Sequence, residues 1–151
     1  MNGKLSWAIF WALIGVFVVI VGVFSIPPLR DLLMGFLFII ISGVVFFLLG
    51  VALIFLTVKE KVRGIRGKFL ILTVASSAGI LVSVLLHNAI YGLFIHFFGT
   101  DFWHRIGLGD EPVFFIIAVF LCPVAFLVGA VGSIVLAIKK VRAAKQPKAT
   151  I

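Results

Sequence analysis

A chain of 151 residues that is 64% hydrophobic and only 12% charged has about the length of one domain. It carries far more apolar surface than a water-soluble fold of that size can hide. A mean hydropathy of +1.36 points to a bilayer as the solvent for that surface, and the single cysteine, Cys122, excludes thiol-redox chemistry that needs an intramolecular pair.

Four apolar stretches free of Asp, Glu, Lys and Arg follow in chain order, at 5–26, 32–58, 69–98 and 113–138. Each reaches the roughly 20 residues that cross about 30 Å of hydrocarbon, and the longer second and third should tilt or protrude. The start, Lys4 followed by an apolar run, superficially resembles a signal peptide. The run is longer than the roughly 7–15 residues of an h-region, and no small-residue cleavage site follows it, so it reads as an uncleaved span. Pro27 and Pro28 end it, since proline lacks an amide hydrogen and disfavours helix in the preceding residue. The turn 25–31 is short enough to make the first two helices antiparallel neighbours.

The second connection, 59–68, reads KEKVRGIRGK. It has no phosphate-binding glycine pattern and only one acid, Glu60, so lipid headgroup contact is a better reading than nucleotide binding. The third connection, 99–112, is the longest. The fold class expected is all-α: one membrane domain over 1–151, a four-transmembrane-helix bundle ending in a basic tail at 139–151.

Of the 13 Lys and Arg residues, Lys4, the five in 59–68 and the five in the tail fall on one side of such a bundle. Only Arg30 and Arg105 fall on the other. The positive-inside rule then places both termini in the cytoplasm. Trp7 and Trp11 lie toward the inner interface and Trp103 toward the outer one. The net charge of +8 thus clusters at helix ends. Membrane lipids, with anionic headgroups on the cytoplasmic side, are the expected partners; nucleic acid is not, because no soluble basic module stands apart from the spans.

At about 100° per residue, small residues line one face of every helix. The first carries Ala8, Ala12, Gly15 and Gly22; the second, Gly35, Ser42, Gly43 and Gly50. The third carries Thr73, Ser76, Gly79 and Ser83 in line with His87 and Tyr91. The fourth carries Ala118, Cys122, Ala125, Gly129, Gly132 and Ser133. Lipid tails are as apolar as leucine, so membrane helices associate by close backbone approach and hydrogen bonds, which small residues permit. These stripes are the expected helix-packing faces. Pro123 should leave the carbonyl of Val119 without its usual partner and bend the fourth helix.

Candidate chemistry is sparse. His87, with Tyr91 one turn on, is an intramembrane ionisable residue and so the first candidate for binding a cofactor. His96 falls on another face and cannot share a metal with it. The expectation is a ring pointing into protein and hydrogen-bonded across the bundle, to a serine for instance, with no metal. The outer residues His96, Asp101, His104, Asp110 and Glu111 form a possible metal-ligand list without a ligand spacing. The competing reading gives them structural work. Thr100 or Asp101 caps a short interfacial helix with Phe102, Trp103 and Ile106 on its apolar face. Asp110 caps the fourth helix, with Glu111 and Pro112 in its first turn.

The chain lacks the first-span glutamate of small multidrug transporters, the cysteine pairs of membrane thiol oxidoreductases, the paired histidines of haem-binding membrane bundles and the cysteine-rich loop of tetraspanins. No catalytic residue and no cofactor are assigned. The function expected is a non-catalytic membrane subunit, associating with other subunits or with itself in a prokaryotic cytoplasmic membrane. The alternative is a small transporter or channel with a path along the polar face of helix three.

Overall fold

The structure, a computed structural model, describes residues 3–29, 36–60 and 64–145. Among these the regular elements are all helical: α1 (Gly3–Ser25), α2 (Phe36–Lys59), α3 (Gly64–Phe98), α4 (Phe102–Arg105), α5 (Pro112–Ile116) and α6 (Cys122–Lys145), with a π-helical turn, Ile117–Leu121, joining α5 to α6. Four helices are long and apolar enough to cross a membrane: α1, α2, α3 and the continuous α5–α6 rod. Large apolar side chains such as Val18, Phe55, Leu85 and Phe120 lie exposed on all four. This is the architecture of a multi-pass membrane protein.

Helix α1 stops at Ser25; the Ile26 amide still donates to the Gly22 carbonyl at 3.1 Å, and Pro27 follows. The rest of the first turn, with Arg30, and Gly35 of the second small stripe lie outside the described residues. Helix α3 begins at Gly64, not at Phe69 where the uncharged run starts. Arg66 and Lys68 do not forbid helix there, because arginine and lysine are good helix formers. Gly64 itself has φ of 79°, a left-handed conformation that glycine adopts without strain.

The core draws on all four spans and sits toward the basic end: Phe10 and Leu13 from α1, Phe46 and Leu53 from α2, Leu70 and Val74 from α3, Phe126 and Ala130 from α6. Phe17 stacks on Phe126 at 4.5 Å between ring centroids, and Phe46 lies 5.3 Å from Phe126, so three helices meet through three rings.

The small residues divide into two groups. A Cβ on Gly129 would come within 2.6 Å of the Thr73 amide nitrogen and 2.9 Å of the Phe69 carbonyl oxygen, so α3 and α6 touch backbone to backbone. Gly132 abuts the Phe69 ring, Gly50 abuts Ser77, and Gly79 faces the Cys122 sulfur. Ser76, Ser83 and Ser133 are buried and Ala125 is half-buried. At Gly15, Gly22 and Gly43, by contrast, a Cβ would meet nothing within 4 Å.

The fourth span does not simply break its ladder at Pro123. The distortion precedes the proline: the Cys122 amide donates to Ile117, five residues back, and the ladder widens to π register. Such a shift is one way a proline-containing membrane helix accommodates the missing donor.

Candidate functional site

Helix α3 carries His87 toward the end opposite the basic cluster, facing the start of the fourth span. Its Nδ1 lies 3.0 Å from the carbonyl oxygen of Glu111 and 3.2 Å from Glu111 Oε2. Both are acceptors, so Nδ1 carries the hydrogen and donates. Nε2 lies 3.5 Å from Asp110 Oδ2. The side chain is 16% exposed. The ring is thus turned into protein, and its partners are the backbone and carboxylate of Glu111 rather than a serine.

Glu111 is the pivot. It is 4% exposed and occupies the N-cap of α5. Its Oε1 accepts from the Val113 amide at 2.8 Å, and Oε2 accepts from the Phe114 amide at 3.0 Å. These are two of the amides that a helix start leaves without partners, and a carboxylate there also suits the helix dipole. Pro112 follows at the first helical position, where its missing donor costs nothing. The cap therefore falls one residue later than Asp110. Asp110 instead accepts from the Glu111 amide at 2.7 Å.

Helix α4 folds back over the end of α3. Trp103 is buried at 7% exposure, donates from Nε1 to the Tyr91 carbonyl at 3.3 Å and stacks on the Tyr91 ring at 5.9 Å. Tyr91 in turn stacks on His87 at 6.5 Å, giving a column His87–Tyr91–Trp103. Arg105 donates to the Phe98 carbonyl at 2.6 Å, covering an open acceptor at the α3 C-terminus. Asp101 holds the N-cap position of α4 without a side-chain cap bond, and Ile106 is exposed.

His96 is exposed with its ring against Phe97, and His104 is exposed. Among the described residues no group of three or more His, Cys, Asp and Glu is arranged to hold a metal ion. His96, Asp101 and His104 are not gathered with Asp110 and Glu111. What the structure does gather is a latch: an imidazole clamped to a buried, capping carboxylate, with its ring face on an aromatic column. The sequence carried the signal for it in Asp110-Glu111-Pro112, but pairing that signal with His87 takes three-dimensional proximity.

Among the described residues, concavities lie between the spans. One, of about 420 Å³, is bounded by all four helices, with Phe17 and Phe24, Ser42, Ser77 and Val84, and Ala118 and Pro123 on its walls. Another is an apolar groove, also about 420 Å³, between α1 and α2, with Ala12, Gly15 and Val19 on one side and Phe38, Ile41 and Val45 on the other. The polar face of helix three is spent locally: Thr73, Ser76 and Ser77 donate to Phe69, Leu72 and Val74 carbonyls of their own helix. Comparison of the chain with protein families, with curated proteins and with solved structures gives no match.

Proposed function

We propose that this protein is a non-catalytic subunit of a larger membrane complex, oriented with both termini in the cytoplasm, and that the α1–α2 groove receives a transmembrane helix of a partner subunit. The observation that carries this reading is Gly15: it is exposed in the groove, and a Cβ there would meet nothing from another helix of the chain within 4 Å. Small residues on membrane helices serve close backbone approach. At Gly129 that use is internal; at Gly15 it is open to another chain. The groove is also apolar and concave, the shape that a helix ridge fills.

The test is purification in mild detergent. Wild-type protein carries a stoichiometric membrane partner, and Gly15→Leu loses it while keeping the helix content and melting of the isolated chain. A solitary wild-type chain, or a partner retained by Gly15→Leu, counts against the reading.

A second reading, a small transporter, draws on the cavity between the four helices beside the π-helical turn, since such turns are frequent at functional sites. The hydroxyls of Thr73, Ser76 and Ser77, turned back on their own backbone, do not favour a hydrated path. Solute flux into proteoliposomes, abolished by Ser42→Leu in the cavity wall, would support it over the first.

A further inference from the structure

The basic end of the bundle holds a second polar cluster, unrelated to the His87 latch. A recess of about 190 Å³ opens where the start of α1, the end of α2 and the start of α3 converge, with Ser6, Trp7, Thr57, Glu60 and Arg66 among its walls. By liquid volume this is room for about six waters, more than a single bridging solvent molecule needs.

Its polar groups are not all used within the chain. Thr57 is 3% exposed, and its hydroxyl has no hydrogen-bond partner. Arg66 Nε is likewise buried and unpartnered, while the guanidinium lies over the Trp7 ring, 5.3 Å from its centroid. Ser6 donates to Glu60 Oε1 at 2.8 Å, which fixes the carboxylate at the recess. Among the described residues, Arg66 and Glu60 form no ion pair with each other. Two opposite charges are therefore held around one small space without neutralising one another. Unmet polar groups buried in a folded chain are uncommon and call for a reason.

We propose that this recess binds the headgroup of an aminophospholipid: a phosphate and a primary ammonium joined by a short linker. The phosphate oxygens accept from the Arg66 guanidinium and the Thr57 hydroxyl, and the ammonium donates to Glu60. Arg66 and Glu60 stand at helix ends, α3 beginning at Gly64 and α2 ending at Lys59, where a membrane-spanning bundle meets the headgroup layer. A purely anionic headgroup satisfies Arg66 but sets its charge against Glu60. A zwitterion satisfies both. The selectivity is thus opposite to what the chain's net charge of +8 favours, which separates a built site from diffuse attraction.

The experiment is native mass spectrometry of the purified full chain in mild detergent. The added probes are phosphatidylethanolamine, phosphatidylglycerol, phosphatidylcholine and soluble O-phosphoethanolamine. The expected result is retention of phosphatidylethanolamine over the other two lipids. Loss of one charge-assisted contact weakens it roughly tenfold in Glu60→Gln and in Arg66→Gln. Thr57→Val weakens it, Thr57→Ser preserves it, and Arg105→Gln at the opposite end leaves it unchanged. Circular dichroism of each variant confirms that the bundle is intact. Displacement by O-phosphoethanolamine supports recognition of the free group, and binding of the lipid without displacement supports the lipid-borne group. Equal retention of phosphatidylglycerol, a preference unaltered by Glu60→Gln, or no adduct with either source overturns the proposal.

Discussion

His87 and Glu111 are 24 residues apart in sequence, yet Nδ1 of one lies 3.0 Å from the carbonyl oxygen of the other. The contact ties the half of α3 away from the basic end to the N-cap residue of the fourth span. It is made to a group already fixed by capping, so the two functions reinforce one another: the helix start orients the carboxylate, and the imidazole anchors the helix start.

Substitutions at this latch should therefore rank in a set order. His87→Phe keeps the ring volume beside Tyr91 and Phe115 but removes one inter-helix bond, at a cost of about 1 kcal/mol. Glu111→Ala removes the cap and the carboxylate partner of the imidazole, which keeps only the backbone carbonyl, at a cost of roughly 2 kcal/mol. Asp110→Asn, at a side chain 55% exposed, should have the smallest effect. Thermal unfolding in detergent, followed by far-ultraviolet circular dichroism, checks the order. A His87→Phe loss as large as that of Glu111→Ala would show that the cap contributes little.

Glycines that look alike in sequence should behave oppositely. Gly129→Leu drives a side chain into the α3 backbone at Thr73 and Phe69, so it should cost about 3 kcal/mol or more, at the upper end of overpacking. Leu136→Ala, at a half-buried position, should cost less. Gly15→Leu should leave the isolated chain within about 0.5 kcal/mol of wild type, as an open site does. Chemical or thermal unfolding of the three variants tests this, and an equal loss at Gly129 and Gly15 would remove the distinction between closed and open small-residue faces.

The proposed orientation predicts a labelling pattern. In a Cys122→Ser background, single cysteines at Lys59 and Lys140 should resist a membrane-impermeant thiol reagent in intact cells, and one at His104 should react. Reaction at Lys59 with protection at His104 would invert the orientation.

Much of the architecture is legible in the sequence. Uncharged runs of about 20 residues or more have few folded solutions, and Pro27 and Pro112 mark a helix end and a helix start by backbone chemistry alone. Charge was the misleading guide at Gly64–Lys68, where Arg66 and Lys68 lie in the first turns of α3 instead of in a loop. The site was less legible. Asp110 is the preferred cap of the fourth span by residue type, and only the backbone geometry, with Glu111 extended before Pro112, gives the position to Glu111. The division of glycines into closed and open sets is also absent from the sequence, because a stripe shows which face is small but not whether a helix of the same chain covers it. The recess at Thr57 and Arg66 carried one signal in advance: Glu60 is the only acid at the basic end.

The partner-subunit account is tested most directly by photocrosslinking in native membranes. A photoreactive residue placed at Val19, in the α1–α2 groove, should give one discrete protein adduct, identified by mass spectrometry as the same membrane subunit in repeated preparations. The adduct should vanish when Gly15→Leu is added. The same probe at Leu85, exposed on α3 and away from the groove, should give lipid adducts alone. Lipid adducts alone from Val19, a crosslink only to a second copy of this chain, or the same protein adduct from both positions would contradict it.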